Sequence, residues 1–316
     1  MRGYLFRRLA FALFLVVVVS SASLVLTELA PGDIATQTLG LGARPDAIAR
    51  ARERYGLNRS LGEQYRDWVA HAIRFDFGRS MLYDRPVADL IPERAANTAI
   101  LALTALVLAT AVGLPLGIVS GSRRGGILPQ TIRTLSVVLL SMPPLLTSLF
   151  LVFVAARTGW APIAGMRSAA VPPGGAIADL VRHLVVPALA IALPLAAMFE
   201  RLQAQAMREA LAQPFVVPTL ARGVSVRRLV WRDALKVALR PVAAVYGLVV
   251  GTLLSGSFAV EVITAWPGLG RLMLEALSAR DVYLVAGCAG MGSVFLACAT
   301  LASDLALAAV DPRVRE

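Results

Sequence analysis

The chain has almost no lysine. Among 316 residues Lys236 is the only one, and it stands between Leu235 and Val237. A phosphate-binding loop needs Gly-Lys-Ser/Thr, so that backbone amides and the ammonium can cradle a nucleotide's phosphates. This chain cannot build that site. Histidine is nearly as scarce, with His71 and His183 distant in sequence. No HExxH or CxxC occurs and no GxSxG surrounds a serine, so zinc hydrolysis, thiol redox and serine hydrolysis lack their usual groups. The two cysteines, Cys288 and Cys298, fall in one apolar run. Ten residues of helix would hold them about 15 Å apart, beyond disulfide reach. They read as small packing residues.

Charge is scarce as well, at 16% of residues, while apolar residues reach 57%. A soluble domain of this length has no need of so much apolar surface, which places the chain in the membrane class. The apolar residues come in runs near the bilayer-spanning length of ~20 residues. The net charge of +11 is carried by arginine. Such a balance suggests nucleic acid in a soluble protein. Here the arginines gather at the ends of apolar runs, as topology requires, and no nucleic-acid partner is expected.

The pattern predicts an all-α polytopic membrane protein, a single transmembrane domain over residues 1–316 with six spans. The spans are 9–29, 95–121, 133–156, 183–200, 241–258 and 283–310. Arg2, Arg7 and Arg8 precede the first and place the N-terminus inside. A cleaved signal peptide ending at Ser21-Ala22-Ser23 is the alternative. Apolar character continuing through Leu24, Val25 and Leu26 favours a retained helix. Residues 30–94, with ten arginines against nine carboxylates, read as an external subdomain with helical stretches at Pro45–Tyr55 and Leu61–Ile73.

In the second span Gly113, Gly117 and Gly121 stand four apart, a tandem GxxxG face for close helix approach, and Pro115 favours a kink. Arg123 and Arg124 mark its inner end. Pro143-Pro144 interrupt the third span, and Pro187 and Pro194 lie in the fourth. A proline frees a carbonyl one turn earlier, which within a bilayer must face protein or water. Such spans line a path or are simply kinked. Residues 259–282 are expected as an external hairpin. Asp304 is the ionisable residue noted within the spans, with Arg133 at the start of the third. Pro312 and Arg313 close the chain inside.

Between Arg201 and Arg240 there are eight basic residues against Glu209 and Asp233. Both this bias and the alternation of sides place residues 201–240 in the cytoplasm. Apolar-periodic sequence runs from Leu202 through Leu211, and Pro214 and Pro218 punctuate it. Gly223 suits a left-handed position ending a helix, and Ser225 suits the N-cap of the next. In that next helix Arg228, Arg232, Lys236 and Arg240 form a basic stripe. Trp231, Leu235, Ala238 and Val242 form an apolar one beside it. That is an interfacial helix, with membrane lipids as its partner. The first helix and glycine turn form a knob on a protein with no energy source of its own, which suggests docking to one that has it.

The stretch from Glu209 to Gly223 (EALAQPFVVPTLARG), followed by Ala234-Leu235 and Ala238-Leu-Arg-Pro241, resembles the EAA loop of binding-protein-dependent ABC transporter permeases. It looks most like the dipeptide/oligopeptide/nickel branch with a long first periplasmic loop. The likeness extends to Leu29-Ala-Pro-Gly-Asp33, Tyr55-Gly-Leu-Asn58, Gln64-Tyr65, Asp76-Phe-Gly-Arg-Ser80, Glu261, Trp266-Pro-Gly-Leu-Gly270, Arg280-Asp281 and Asp311-Pro-Arg313. The resemblance implies an ABC importer permease (type I, MetI-like) fold in the inner membrane. It implies a second homologous permease subunit, two cytoplasmic ABC ATPase domains and a periplasmic or extracellular substrate-binding protein as partners. It also implies import of di- or oligopeptides or related solutes. The chain would be non-catalytic and hold no cofactor, ATP and Mg²⁺ being bound by the partners. Glu209, Ala210, Phe215, Ala221, Arg222 and Gly223 would form the ATPase-coupling site. Val217, Pro218, Leu220 and Asp233 depart from the family pattern, which usually has basic, small, arginine and histidine residues there. Other readings are a secondary transporter or channel, a membrane-anchored receptor built on residues 30–94, and an intramembrane enzyme.

Overall fold

The computed structural model describes residues 2–29, 45–54, 59–74, 76–123, 125–168 and 174–310. The motif positions 30–33, 55–58 and 311–313 lie outside the described residues, as does the side chain of Asp304. The described chain is mainly helical, with one short hairpin. Helices α1 (Arg2–Leu29), α2 (Pro45–Arg54) and α3 (Leu61–Ala72) lead to β1 (Arg79–Ser80) and β2 (Arg85–Pro86). Then come α4 (Val87–Ser122), α5 (Ile127–Leu140), α6 (Pro144–Thr158) and α7 (Ala176–Leu211). The short α8 (Val216–Ala221) and α9 (Val226–Arg228) precede a π-helical turn, Leu229–Ala234, and α10 (Leu235–Ile263). The described residues end in α11 (Leu269–Ala279) and α12 (Val282–Val310).

Among the described residues four helices, α1, α4, α7 and α12, are long and apolar enough to cross a membrane. The pair α5 and α6 makes a fifth if its two halves count as one span. Those halves meet at 101°, where residues 133–156 were expected as one interrupted span. Pro143 cannot donate a backbone hydrogen bond, and Pro144 starts the new helix at its first position. The expected fifth span lies within α10. Two further boundaries differ. Helix α4 begins at Val87 rather than near residue 95, and the expected hairpin at 259–282 contains α11.

The described residues divide into two compact units, 1–99 with 267–297 and 100–266 with 298–316. In the first, α3 is capped by the reciprocal bonds of Ser60 and Glu63, a capping box that satisfies two otherwise orphan donors. Tyr65 donates to Ser21 Oγ at 3.0 Å, and Trp68 packs with Leu24, Val282 and Ala286. The hairpin is pinned by Asp281, which is fully buried. Its Oδ2 accepts from Ser80 Oγ at 2.6 Å and from the Leu82 amide at 3.0 Å. Its Oδ1 accepts from the Leu284 amide at 3.1 Å, which caps α12.

The second unit is built around α7, the most buried of the four candidate spans. This helix runs unbroken through Pro187 and Pro194. Ala188, Ala190, Ile191 and Ala192 beside them are buried, so the freed carbonyls are enclosed by protein, as a bilayer demands. Against α7 lies the glycine face of α4. A Cβ at Gly113, Gly117 or Gly121 would lie 2.5, 2.6 or 2.5 Å from the carbonyl oxygens of Ala196, Glu200 and Ala204. The expected close seam is therefore present, and its partner is the backbone of α7. Phe199 on α7 also stacks on Tyr246 at 4.8 Å between ring centres.

Candidate functional site

Helix α7 is 36 residues long, about 54 Å at the rise of an α-helix. That exceeds the ~30 Å hydrocarbon core of a bilayer. Its apolar stretch ends at Phe199, and the turns from Glu200 to Leu211 carry Arg201, Gln203, Gln205, Arg208 and Glu209. The fourth span and the first loop helix, expected as separate elements, are thus one rod. At its end the chain turns through Ala212 to Phe215, forms the single turn and a half of α8, and turns again at Gly223.

Gly223 has φ +80°, a left-handed conformation that costs an L-residue with a side chain and costs glycine nothing. Its amide donates to the Leu220 carbonyl at 2.9 Å. Ser225 then caps the next helix, its Oγ accepting from the Arg228 amide at 3.4 Å. Helix, glycine turn and capped helix thus stand where the sequence puts them.

The six expected site residues divide by exposure. Glu209 is exposed, and its Oε1 accepts from Gln205 Nε2 at 2.6 Å. Gln205 Oε1 in turn accepts from Arg208 Nη2 at 2.9 Å. Ala221, Arg222 and Gly223 are exposed at the tip, and Arg222 Nη2 reaches Thr219 Oγ1 at 3.4 Å. Phe215 is half-buried and its carbonyl accepts from Thr219 Oγ1 at 2.7 Å. Ala210 does not reach the surface. It is 1% exposed and packs in a cluster with Met207, Val230 and Ala234. Its place is inside the knob's base, where it seats the turn against the returning helix.

The returning helix differs from the expected interfacial one. α9, the π turn and α10 run on without a break from Val226 to Ile263, so the basic stripe is not on a separate helix. The π turn inserts a residue, yet Arg228, Arg232, Lys236 and Arg240 all remain exposed. Leu229, Val230 and Ala234 are buried on the other side.

Two matches cover this architecture almost end to end. Residues 113–316 match the family of binding-protein-dependent transport system inner membrane components. Residues 1–102 match the N-terminal domain of the same components. The chain belongs to this family. The permease is 32% identical over 324 residues to the oligopeptide transport system permease protein OppB of Mycobacterium tuberculosis, across 100% of this chain and 99% of that protein. It is 30% identical over 318 residues to the oligopeptide transport system permease protein AppB of Bacillus subtilis, across 99% of both. As a member of this family it is a non-catalytic membrane subunit of an ABC importer.

The permease also holds polar groups that the sequence reading passed over. Glu200 on α7 is 1% exposed and Gln203 is fully buried. Ser120 Oγ donates to one Glu200 oxygen. The other Glu200 oxygen and both polar atoms of the Gln203 side chain have no hydrogen-bond partner among the described residues. Arg133 Nη2 donates to the Ser120 carbonyl at 3.0 Å. The signal was present in the glycine face. Gly117 and Gly121 turn toward the positions one helical turn below Phe199, so whatever stands at 200 and 203 is enclosed. Among the described residues no group of three or more His, Cys, Asp or Glu is placed to hold a metal ion.

Proposed function

We propose that this permease forms half of a peptide-translocation pathway, with six spans, both termini in the cytoplasm and residues 201–240 as the element that couples it to ATP hydrolysis. Its partners are a second homologous permease subunit, two cytoplasmic ATPase domains and an external substrate-binding protein. Full-length similarity to permeases named for oligopeptide transport supports the peptide assignment. One observation carries the coupling assignment. The α7 rod extends past its own apolar stretch and ends in a knob shaped by Gly223. Movement of a rod fixed to α4 through a glycine seam would be transmitted to the pathway without loss in a flexible loop.

The test is reconstitution of the permease with its partners in liposomes, followed by uptake of labelled oligopeptides. Uptake should require ATP and the binding protein, and the permease alone should neither bind nor hydrolyse ATP. A buried carboxylate in a span is what an ion-coupled carrier would need, and Glu200 is one. Uptake driven by a proton gradient without ATP would therefore overturn the proposal in favour of a secondary transporter. Single-cysteine labelling should reach the exposed positions 274 and 277 from outside and the exposed positions 209 and 222 only from inside. External labelling at position 222 would reverse the topology.

A further inference from the structure

Glu200 and Arg133 carry opposite charges one serine apart. Ser120 on α4 donates its hydroxyl to Glu200 on α7, and its carbonyl accepts from Arg133 on α5 at 3.0 Å. Neither charged group has an ion-pair partner among the described residues. Glu200 is buried, and its second oxygen has no hydrogen bond there. Gln203 lies one turn along the same face of α7, fully buried, with both polar side-chain atoms in the same condition. These groups converge on one turn of α4. A Cβ at Gly117 would lie 2.6 Å from the Glu200 carbonyl and 3.1 Å from Gln203 Cγ, and Ser120 Oγ is 3.4 Å from the Gly117 carbonyl.

Buried polar groups are ordinarily hydrogen-bonded, and a buried charge left without a partner is strongly unfavourable. The node therefore calls for a second arrangement in which its acceptors are filled. Arg133 is the group at hand. A guanidinium carries five N–H donors in a planar fork that suits a carboxylate. Among the described residues this one makes a single hydrogen bond, to the Ser120 carbonyl. Two of the three unfilled atoms of the node are acceptors, Glu200 Oε2 and Gln203 Oε1, which is what a two-pronged donor takes. The carbonyl and hydroxyl of Ser120 belong to one residue, so Arg133 already stands near the carboxylate that it does not touch.

The three helices are not equally free to move. α4 and α7 are held together by the glycine seam, where no side chain separates their backbones. α5 has 14 residues and a joint at each end. It follows Gly125 and Gly126, the latter with φ +116°, and it stops at the 101° break before Pro144. Element ends and small residues are where hinges form. Ile132 and Ser136 of α5 are buried, and α5 packs on α7. A shift of α5 on its joints therefore carries Arg133 past the Ser120–Glu200 node.

We propose that Arg133 is a two-position latch between α5 and the α4–α7 pair. In this structure it holds the Ser120 carbonyl. In the second position, reached as α5 shifts during transport, it pairs with Glu200 Oε2 and Gln203 Oε1. Arg133 and Glu200 are then positioning residues that give α5 two discrete seats, and coupling between distant sites is carried by elements with discrete arrangements. The proposal rests on the reading of α7 as the rod that couples the permease to ATP hydrolysis. It adds the contact that passes the rod's motion to α5.

The experiment uses the whole transporter in liposomes. Spin labels are placed on α5 and α7 at two exposed positions beside the latch (Thr134→Cys and Arg201→Cys, with Cys288→Ala and Cys298→Ala). The spin–spin distance is measured without nucleotide and after trapping with ATP and vanadate. With the latch intact the two states should show two different distances. Glu200→Gln keeps an acceptor for Ser120 and removes the charge. It should deplete the second distance about fivefold or more, the scale of coupling between sites. One distance in both states would overturn the latch.

Uptake per folded molecule supplies the second arm, without the labels. Glu200→Gln and Arg133→Gln should each lower it about fivefold or more, with folded yield and ATPase retention near wild type. The double variant should be no worse than either single one, because each alone already removes the pair. Arg133→Lys keeps the charge and should recover part of the uptake. Additive losses, or full uptake in both single variants, would overturn the latch. If Gly223→Val still abolished uptake in that case, the coupling reading would stand. Uptake driven by a proton gradient without ATP would overturn both and return Glu200 to a carrier mechanism.

Discussion

Asp281 and Arg222 both lie in segments that resemble the family's motifs, yet their surroundings are opposite. Asp281 is fully buried and spends both carboxylate oxygens on Ser80, Leu82 and Leu284. Ser80 and Asp281 stand 201 residues apart in the chain, and each is the other's partner. Arg222 is exposed, and among the described residues its guanidinium makes one hydrogen bond, to Thr219 Oγ1 at 3.4 Å. The first motif is consumed within the molecule and builds architecture. The second is left facing outward, where only another molecule can use it. A motif residue's role can thus be told from whether its hydrogen-bonding capacity is already filled.

The sharpest way to break this contrast is at Asp281. Asp281→Ala would leave the Ser80 hydroxyl and two backbone amides without their acceptor in a buried site, a loss on the order of 3 kcal/mol or more. Folded yield and Tm in detergent should fall severely. Asp281→Asn, which keeps one carbonyl acceptor, should recover part of the loss. An unchanged Tm for Asp281→Ala would mean that the motif pair is not architectural.

The glycine seam should come next. Gly117→Leu forces a branched side chain against the Glu200 carbonyl and Gln203 Cβ, both 2.6 Å from where even a Cβ would sit. Overpacking of that kind costs about 1–3 kcal/mol, and the helices must part to accept it. Folded yield should drop several-fold, with Gly117→Ala between Gly117→Leu and wild type. Gly223 is the counter-case, because nothing lies within 4 Å of a Cβ built there. Gly223→Val meets no neighbour and is strained only through its backbone, by roughly 1–2 kcal/mol. Its folded yield should stay near wild type while ATPase retention and uptake per folded molecule collapse. Glu209→Arg should act in the same direction by reversing an exposed charge, with a smaller loss. Uptake undiminished in both would remove the knob from the coupling path.

These elements also show what a sequence yields and where it stops. The seam was legible because the spacing of Gly113, Gly117 and Gly121 can mean little but close approach. Gly223 and Ser225 were legible because each obeys a local conformational rule that neighbours do not alter. The helices at Pro45–Arg54 and Leu61–Ala72 likewise follow from local periodicity and the Ser60–Glu63 cap. The continuity of α7 was not legible. Pro187 and Pro194 argue locally for interruption, and only burial on both sides of the helix overrides them. The π turn at Leu229–Ala234 leaves no pattern, since one inserted residue keeps the basic stripe exposed. The 101° bend at Pro143-Pro144 was half legible, in that the break follows from proline and the angle does not. Ala210 was placed in the coupling site by the motif resemblance, and its burial against Met207 and Val230 could not be read from the motif.

The smallest expected effect sets the two regions apart by pH. Tyr83 follows the pinned hairpin strand β1, and its hydroxyl donates to Glu275 Oε2 at 2.6 Å. Its pKa is pushed from 10.0 up to about 12, chiefly by burial and then by the Glu275 hydrogen bond and charge. A raised folded value means that folding favours the protonated phenol. The stabilisation is therefore complete below the ordinary value of 10.0 and fades as pH rises toward about 12. Tyr83→Phe removes the titrating group and leaves Glu275 paired with Arg271 Nε at 2.9 Å. The Tm advantage of wild type over Tyr83→Phe should be constant up to about pH 9 and shrink progressively above the ordinary tyrosine value. No comparable trend should separate Gly223→Val from wild type, whose strain lies in the backbone and carries no proton. An advantage that grows with pH would mean that the phenolate, not the phenol, is what the hairpin holds.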